Sequence, residues 1–373
     1  MKLLKNIDCY NPNTIGRRDI LLAGGKIARI APPDHIPQAD SLFQVIDGSD
    51  YLAFPGIIDQ HVHIIGGGGE QGPASTIPEL DFNEILLAGV TTVVGLLGLD
   101  SVGKTLRQLL QKARALEAQG LTTYLYTGSY SVPCPTLTGS ITDDLVMIDK
   151  VIGTGEVAIS DHRATVSSAE ELLKVAAQTH IGGMLGGKAG VLHLHVGDGH
   201  RGLEPLMELA DNTDLPINMF VPTHVNRSEK LFRQAMRYLK GGGWIDLTAG
   251  EEAGVPVPEA VLRLAGANLD LSRVTVSSDG NGSMPGGGVS SIQSLLFDIR
   301  SCVQTAGLPP DVVLRLVTEN VSKLLKLYPT KGALLEGSDA DILVTDRQYN
   351  LEKLFCKGTM LVDNGMPVEA AYE

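Results

Sequence analysis

The chain's most reactive stretch begins at Pro55-Gly-Ile-Ile-Asp-Gln-His61-Val-His63. Two histidines two apart on a strand point the same way, because strand side chains alternate with a period of two. Both imidazoles can then reach one metal ion, although so short a motif taken alone also fits a pair of hydrogen-bonded core residues. More candidate ligands follow at Glu156, His195, His224 and Asp279, in steps of 93, 39, 29 and 55 residues starting from His63. Neutral imidazoles and carboxylates are suitable zinc ligands. Bound metal lowers the pKa of water from about 15.7 to near 7 and can polarise a carbonyl.

These side chains need a scaffold that brings distant segments to one rim. Apolar runs at 57–65, 91–98, 122–129, 156–160, 191–196, 219–225, 244–248 and 274–278 predict eight strands. Helical periodicity lies between them, for instance over 105–119, 169–178, 229–239 and 258–265. Strand–helix units of about 31 residues are the arithmetic of a (β/α)8 TIM barrel. On that period the candidate ligands fall on strands 1, 4, 5, 6 and 8, at or near the ends where barrel active sites form. His35, His180 and His200 fall in predicted loops or helices and keep no such phase. A doubly wound open sheet is the rival architecture, but no Gly-x-Gly-x-x-Gly turn follows the first strand, only the run Gly66–Gly69.

Short β-type runs mark both ends, at 2–7, 19–22, 26–30 and 43–46, then at 340–345, 351–356 and 360–362. They predict a small β-sandwich domain built from residues 1–54 plus 331–373, flanking a barrel over 55–330. The chain has 373 residues, 43% of them hydrophobic, which suffices for a large core. A formal charge of −13 argues against nucleic acid or an anionic membrane surface as partner. Cys9, Cys134, Cys302 and Cys356 form no close pair and suggest reduced thiols. No apolar run reaches the roughly 18 residues of a membrane span, and the charged N-terminus does not read as a signal peptide. A soluble cytoplasmic protein is expected.

Seven motifs in order carry a family resemblance: Pro55 to His63, Gly66-Gly-Gly-Gly69-Glu70, Tyr126-Thr-Gly-Ser-Tyr130, Ala158-Ile-Ser-Asp-His-Arg163, Leu194-His-Val-Gly-Asp198, Pro222-Thr-His-Val-Asn-Arg227 and Ser277-Ser-Asp-Gly-Asn-Gly-Ser283. Together they resemble the isoaspartyl dipeptidases, zinc peptidases of the amidohydrolase superfamily. The resemblance covers nearly the whole chain. It implies two zinc ions, one on His61 and His63 and the second on His195 and His224, with a hydroxide between them as nucleophile. Asp279 would contact the first metal and serve as acid and base, and Tyr130 would donate to the developing oxyanion. Glu70 would hold the substrate's α-amino group, Gly68 and Ser283 its aspartyl carboxylate, and Arg163 and Arg227 the carboxylate of the departing amino acid. The implied partner is a small dipeptide, and family members are homo-oligomers.

The chain departs from the family in three places. The family bridges its metals with a lysine carboxylated by carbon dioxide, where this chain has Gly155-Glu156-Val157. Lys150 lies too early and Lys174 falls in the next helix, so Glu156 is expected to bridge directly. Its shorter side chain would require the strand to approach by about 3 Å, from bond lengths near 1.5 Å, or the ions to shift. Leu99 stands where the family has a threonine that binds the aspartyl carboxylate. The loop after Ser283, Pro285-Gly-Gly-Gly288, is also shorter than the family's.

Other readings stay open at this level. Gly66–Gly69 lacks the Lys-Ser/Thr of a phosphate loop and reads as a flexible turn. Arg163 and Arg227 have a plainer role as partners of Asp161 and other surface acids. His193 shares a face with His195 by alternation and competes as a ligand, although the motif resemblance favours His195, while His162 reads as a support behind the ligands or as structural. Two alternative functions remain: hydrolysis of another small amide (an N-acyl amino acid or cyclic ureide), and a non-catalytic assembly protein on the same barrel.

Overall fold

Eight central strands are buried along their whole length apart from half-exposed Tyr124, as parallel strands covered on both faces should be. The computed structural model describes residues 1–36, 44–166, 168–284 and 287–368. Phe43 of a predicted strand, Pro285 and Gly286 of the glycine-rich loop, and residues 369–373 of the predicted terminal unit lie outside them.

The N-terminal strands are β1 (Lys2–Asn11), β2 (Asn13–Ala23), β3 (Lys26–Ala31), β4 (Gln44–Asp47) and β5 (Leu52–Pro55). The barrel strands are β6 (Ile57–Val62), β7 (Val90–Gly95), β8 (Thr122–Thr127), β9 (Val151–Ile159), β10 (Val191–Val196), β11 (Phe220–Thr223), β12 (Ile245–Thr248) and β13 (Val274–Ser277). The chain then returns through β14 (Ile342–Thr345), β15 (Leu351–Cys356), β16 (Thr359–Asp363) and β17 (Met366–Pro367). All eight predicted barrel strands are present. The fourth starts earlier than expected, so Glu156 sits within β9 rather than at its head.

Helices follow the barrel strands in alternation, among them Leu106–Ala118, Ala169–Leu185, Glu229–Lys240 and Val257–Gly266. Thr105, Ser140, Ser168 and Ser228 cap helix starts by accepting a hydrogen bond from the backbone N–H three residues on. Each helix turns an apolar stripe onto the strands, and together they enclose a continuous core that includes Leu109, Leu145, Leu172, Phe232 and Leu264.

The ladder runs β6 to β11 without a break, and β12 and β13 pair separately. Side chains and loop bonds close the two seams. At one, Thr248 N donates to Asn226 Oδ1 (2.8 Å) and Asn226 Nδ2 donates to Thr248 O (3.0 Å). At the other, His63 N donates to Gly280 O (2.9 Å), and Ser278 Oγ donates to Asp59 Oδ2 (2.5 Å). Inside, Asp246 on β12 accepts from Gln60, Thr275, Thr223 and Ser277, linking β6, β11 and β13 through one buried carboxylate. The result is a (β/α)8 barrel.

The end strands form one nine-stranded sheet, ordered β17-β16-β15-β14-β5-β1-β2-β3 with β4 beside β1. It folds over a shared cluster of Leu4, Ile7, Ile20, Ile27, Ile342, Val344 and Phe355, giving the two facing layers of a sandwich. Ala340 N bonds Gly25 O (2.9 Å) and Ile27 N bonds Ser338 O (2.9 Å), joining the two ends of the chain. Among the described residues no helix is long and apolar enough to cross a membrane.

Buried Lys331 joins this sheet to the barrel. Its Nζ reaches Thr122 Oγ1 (2.6 Å) at the start of β8, Asp341 Oδ2 (2.5 Å) and Asp339 Oδ2 (2.7 Å). Burial works against its charge, but Asp341 and Asp339 outweigh it and raise its pKa. Replacing Lys331 by Met leaves Asp341 without its cation and Asp339 with Lys26 alone (2.5 Å), and is expected to cost about 3–5 kcal/mol. A lowered urea midpoint and Tm would record the loss, and an unchanged midpoint would contradict it.

Candidate metal centre and active site

The predicted ligands converge at the C-terminal end of the barrel. His61 is in β6 and His63 just beyond it; Glu156 is in β9 and His195 in β10; His224 follows β11 and Asp279 follows β13. All six are buried. His224 (φ +61°) and Asp279 (φ +53°) adopt left-handed backbone conformations, rare for residues with a Cβ and tolerated where surrounding structure over-determines them. In both cases the chain turns sharply out of a strand and aims the side chain back over the barrel.

Glu156 lies between two pairs of imidazoles. Its Oε1 is 2.6 Å from His195 Nδ1 and 3.0 Å from His224 Nε2. Its Oε2 is 3.5 Å from His61 Nε2 and 3.8 Å from His63 Nε2. Asp279 Oδ1 faces the same pair, 3.3 Å from His61 Nε2 and 3.2 Å from His63 Nε2. The backbone explains how so short a side chain gets there. Leu192 pairs with Thr154 and Leu194 with Val157, so β9 carries an extra residue opposite His193, a bulge at Gly155-Glu156. Gly155 makes the close approach possible, since a Cβ there would lie 2.8 Å from His193 Cβ. The two lysines lie elsewhere. Lys150 Nζ bonds Thr123 Oγ1 (2.9 Å) at the start of β8, and Lys174 is exposed and paired with Glu170 (3.0 Å).

Burial alone would raise the Glu156 carboxyl, yet His61 and His195 hold it well below the carboxylate range. Burial likewise opposes the Asp279 charge, and His224, His61 and His63 hold its pKa well below normal. In return, burial disfavours a charged His61, but Glu156 and Asp279 outweigh it and push its pKa up to about 10. The two carboxylates thus call for cationic charge where His61 Nε2 faces them. His61 Nε2 and Glu156 Oε2 are buried without hydrogen-bond partners. Donor atoms of His61, His63 and Glu156 lie within 4.8 Å of one another, as do those of Glu156, His195 and His224, and those of His61, His224 and Asp279. A nitrogen–oxygen donor set of this kind fits divalent zinc.

Second contacts orient the rings. His61 Nδ1 meets His193 Nε2 at 2.8 Å, and burial holds His193 well below its usual pKa, as a neutral partner. His193 contacts His61 on the ring nitrogen opposite the one that faces Glu156 and Asp279, and donor atoms of His61, His193 and Asp246 also lie within 4.8 Å of one another. His224 Nδ1 meets Thr248 Oγ1 at 2.8 Å, and His195 Nε2 meets Asp161 Oδ2 at 3.0 Å. Thr248 carries no motif; Asp161 was legible only as a partner for Arg163. Alternation with His195 was the signal for His193.

A cavity of about 850 Å³ opens over the centre, lined in part by Glu70, Tyr130, Arg163, His195, Arg227 and Ser283. Tyr130 OH lies 2.8 Å from His195 Nδ1; burial and Glu156 push its pKa well above normal, keeping it a hydrogen-bond donor. Arg163 pairs with Asp161 through Nε (2.8 Å) and Nη2 (2.7 Å), while Arg227 Nη2 contacts Asp279 Oδ2 at 3.0 Å. Arg163 thus has the partner its plainer reading named, whereas Arg227 pairs with buried Asp279 and not with a surface acid; both arginines line the cavity. Glu70 sits at the rim, accepting from Ser283 Oγ (2.5 Å) and 3.4 Å from Arg163 Nη1. Gly68 lies behind this wall, in an antiparallel bridge with Thr76. Its φ of +82° and a virtual Cβ only 2.3 Å from Ser75 O require glycine there. Leu99 is half-buried just past Gly98, whose own Cβ position would be 3.0 Å from His63 Cε1.

Known proteins match this architecture. The family model described as "Amidohydrolase family" matches residues 52–361. A beta-aspartyl dipeptidase from the thermophilic keratin-degrading Fervidobacterium islandicum AW-1 is 40% identical, with 100% of each chain covered. Its two solved structures, one in complex with a beta-Asp-Leu dipeptide, superpose with TM-scores of 0.92 and 0.94. A D-hydantoinase at 17% identity and TM-score 0.72, covering 98% of this chain and 96% of its own, shares the fold. An adenine deaminase of Listeria innocua is 25% identical over 95% of this chain, which spans 56% of that relative's length. Matched along its length both by the family model and by a 40% identical relative, the chain belongs to the amidohydrolase family of metal-dependent hydrolases and groups there with the beta-aspartyl dipeptidases.

Proposed function

We propose that this chain hydrolyses the isopeptide bond of β-aspartyl dipeptides, using two zinc ions held by His61, His63, Glu156, His195, His224 and Asp279. The observation that carries the reading is the position of Glu156, with one oxygen toward His195 and His224 and the other toward His61 and His63. That geometry supports a bridging carboxylate in the place of the family's carboxylated lysine. Bound ions would acidify the attacking water and polarise the scissile carbonyl.

The chain's own groups divide the remaining work. Asp279 takes the proton of the attacking water and returns it to the leaving amine, as a carboxylate beside the histidine cluster can. Tyr130, kept protonated by its surroundings, donates to the carbonyl oxygen as charge develops there. Arg163 and Arg227 anchor the carboxylate of the departing residue, and the guanidinium fork suits that group. Glu70 receives the α-amino group, and Gly68 and Ser283 serve the aspartyl carboxylate. Leu99 favours a second reading, hydrolysis of another small amide, because the anchor loses a hydroxyl worth about 1.5–3 kcal/mol toward a charged group.

Metal analysis of purified protein together with assays on β-aspartyl dipeptides, N-acetyl amino acids and hydantoins separates the readings. Turnover confined to the β-aspartyl series is expected, and turnover confined to the other amides would select the second reading. Asp279→Asn is expected to lower kcat by about 10²–10⁴-fold while retaining most of the metal; near-normal kcat would remove its assigned role. With Glu156 as the bridge, metal reconstitution of the apo-protein should proceed equally well with and without bicarbonate. A bicarbonate requirement would displace Glu156 from that role.

A further inference from the structure

We infer that Asp161 is a positioning residue that ties the zinc ligand His195 to the carboxylate anchor Arg163, so that metal binding and substrate capture support each other. The inference rests on the proposed function for the roles of those two residues. Asp161 Oδ2 accepts from His195 Nε2 (3.0 Å) and from Arg163 Nη2 (2.7 Å). Its Oδ1 accepts from Arg163 Nε (2.8 Å) and from the Arg163 backbone N–H (2.7 Å). A histidine that donates Nε2–H to a carboxylate keeps its lone pair on Nδ1, the atom facing Glu156 at 2.6 Å. Such carboxylate–histidine pairs orient metal ligands and raise their basicity. On the other side, two parallel bonds fix the plane of the guanidinium. Arg163 Nη1 is left pointing toward Glu70 across the cavity.

The local backbone is shaped for this placement. The Asp161 side chain is 1% exposed although the neighbouring His162 side chain is 73% exposed. Ser160 takes a left-handed conformation (φ +51°), which turns the chain inward immediately before it. Across the gap, a Cβ on Gly197 would lie 2.2 Å from Asp161 Oδ2, so only glycine leaves room for the carboxylate. Gly197 N donates to Ile159 O (3.1 Å) and Gly199 N to Ser160 O (2.6 Å), pinning the two loops together. An ordinary surface pair between residues two apart needs neither the turn nor the gap. Because one carboxylate orders both partners, a gain in affinity at either site must appear at the other.

Asp161→Asn and Asp161→Ala test the tie, with Gly197→Ala as a variant that keeps the carboxylate but displaces it. Thermal unfolding checks that each variant folds. Zinc affinity of the apo-proteins is measured by competition with a chromophoric chelator, and KM and kcat are measured for β-Asp-Leu and its C-terminal amide. Zinc affinity at one site is expected to fall roughly 10–100-fold. The KM advantage of the free carboxylate over the amide is expected to shrink, with kcat for the amide changing less. Folded variants with wild-type zinc affinity, or with an unchanged preference for the carboxylate, overturn the tie. A wild-type protein that takes up no zinc and cleaves no β-aspartyl dipeptide is a separate result, and it overturns the proposed function itself.

Discussion

Two carboxylates are buried against four imidazoles, and the cost of that arrangement shapes the rest of the structure. Removing a carboxylate from water is expensive unless compensating charge and hydrogen bonds meet it. Glu156 and Asp279 meet that demand by sharing His61 and His63, and Arg227 contributes a further bond to Asp279. Three of the imidazoles, those of His61, His224 and His195, are themselves held from behind by His193, Thr248 and Asp161. An ion entering this cage finds donors already aimed, which is how a rigid scaffold lowers the entropic cost of binding.

The same constraint explains where the barrel is irregular. Its ladder lapses between β11 and β12 and between β13 and β6, and His224 and Asp279 leave their strands beside those seams. Regular pairing there would hold both residues in extended conformations, whereas their left-handed turns bring the side chains over the centre. The closure that backbone pairing omits passes to Asp59, Gln60, Asn226 and Asp246, all buried and all hydrogen-bonded across strands. The bulge at Gly155-Glu156 belongs with these departures, since it moves a short carboxylate to the distance a longer side chain would otherwise span.

Much of this was legible in the linear chain. The period-two spacing of His61 and His63 and the barrel-period steps to His195, His224 and Asp279 placed the candidate ligands in or just beyond the strands where they converge, because repeating units put equivalent residues at equivalent depths. Glu156 was legible as a replacement but not as a bulge, since an extra residue in one strand shows only against its neighbour. Thr248 was not legible at all, because its contact is set by ring orientation. Asp161 read as the partner of Arg163 alone, and its bond to His195 depends on a close approach at Gly197 that no spacing rule encodes.

The sequence by itself determined the alternation of strand and helix, the return of both ends to one β sheet, and the residue types able to hold metal. These follow from periodicity and side-chain chemistry, which are local properties. Only the tertiary structure decided that Glu156 faces both histidine pairs, that His193 contacts His61, and that Asp161 stands between His195 and an arginine. Those relations join atoms tens of residues apart, and distances between such atoms are set by how the strands close around a common core.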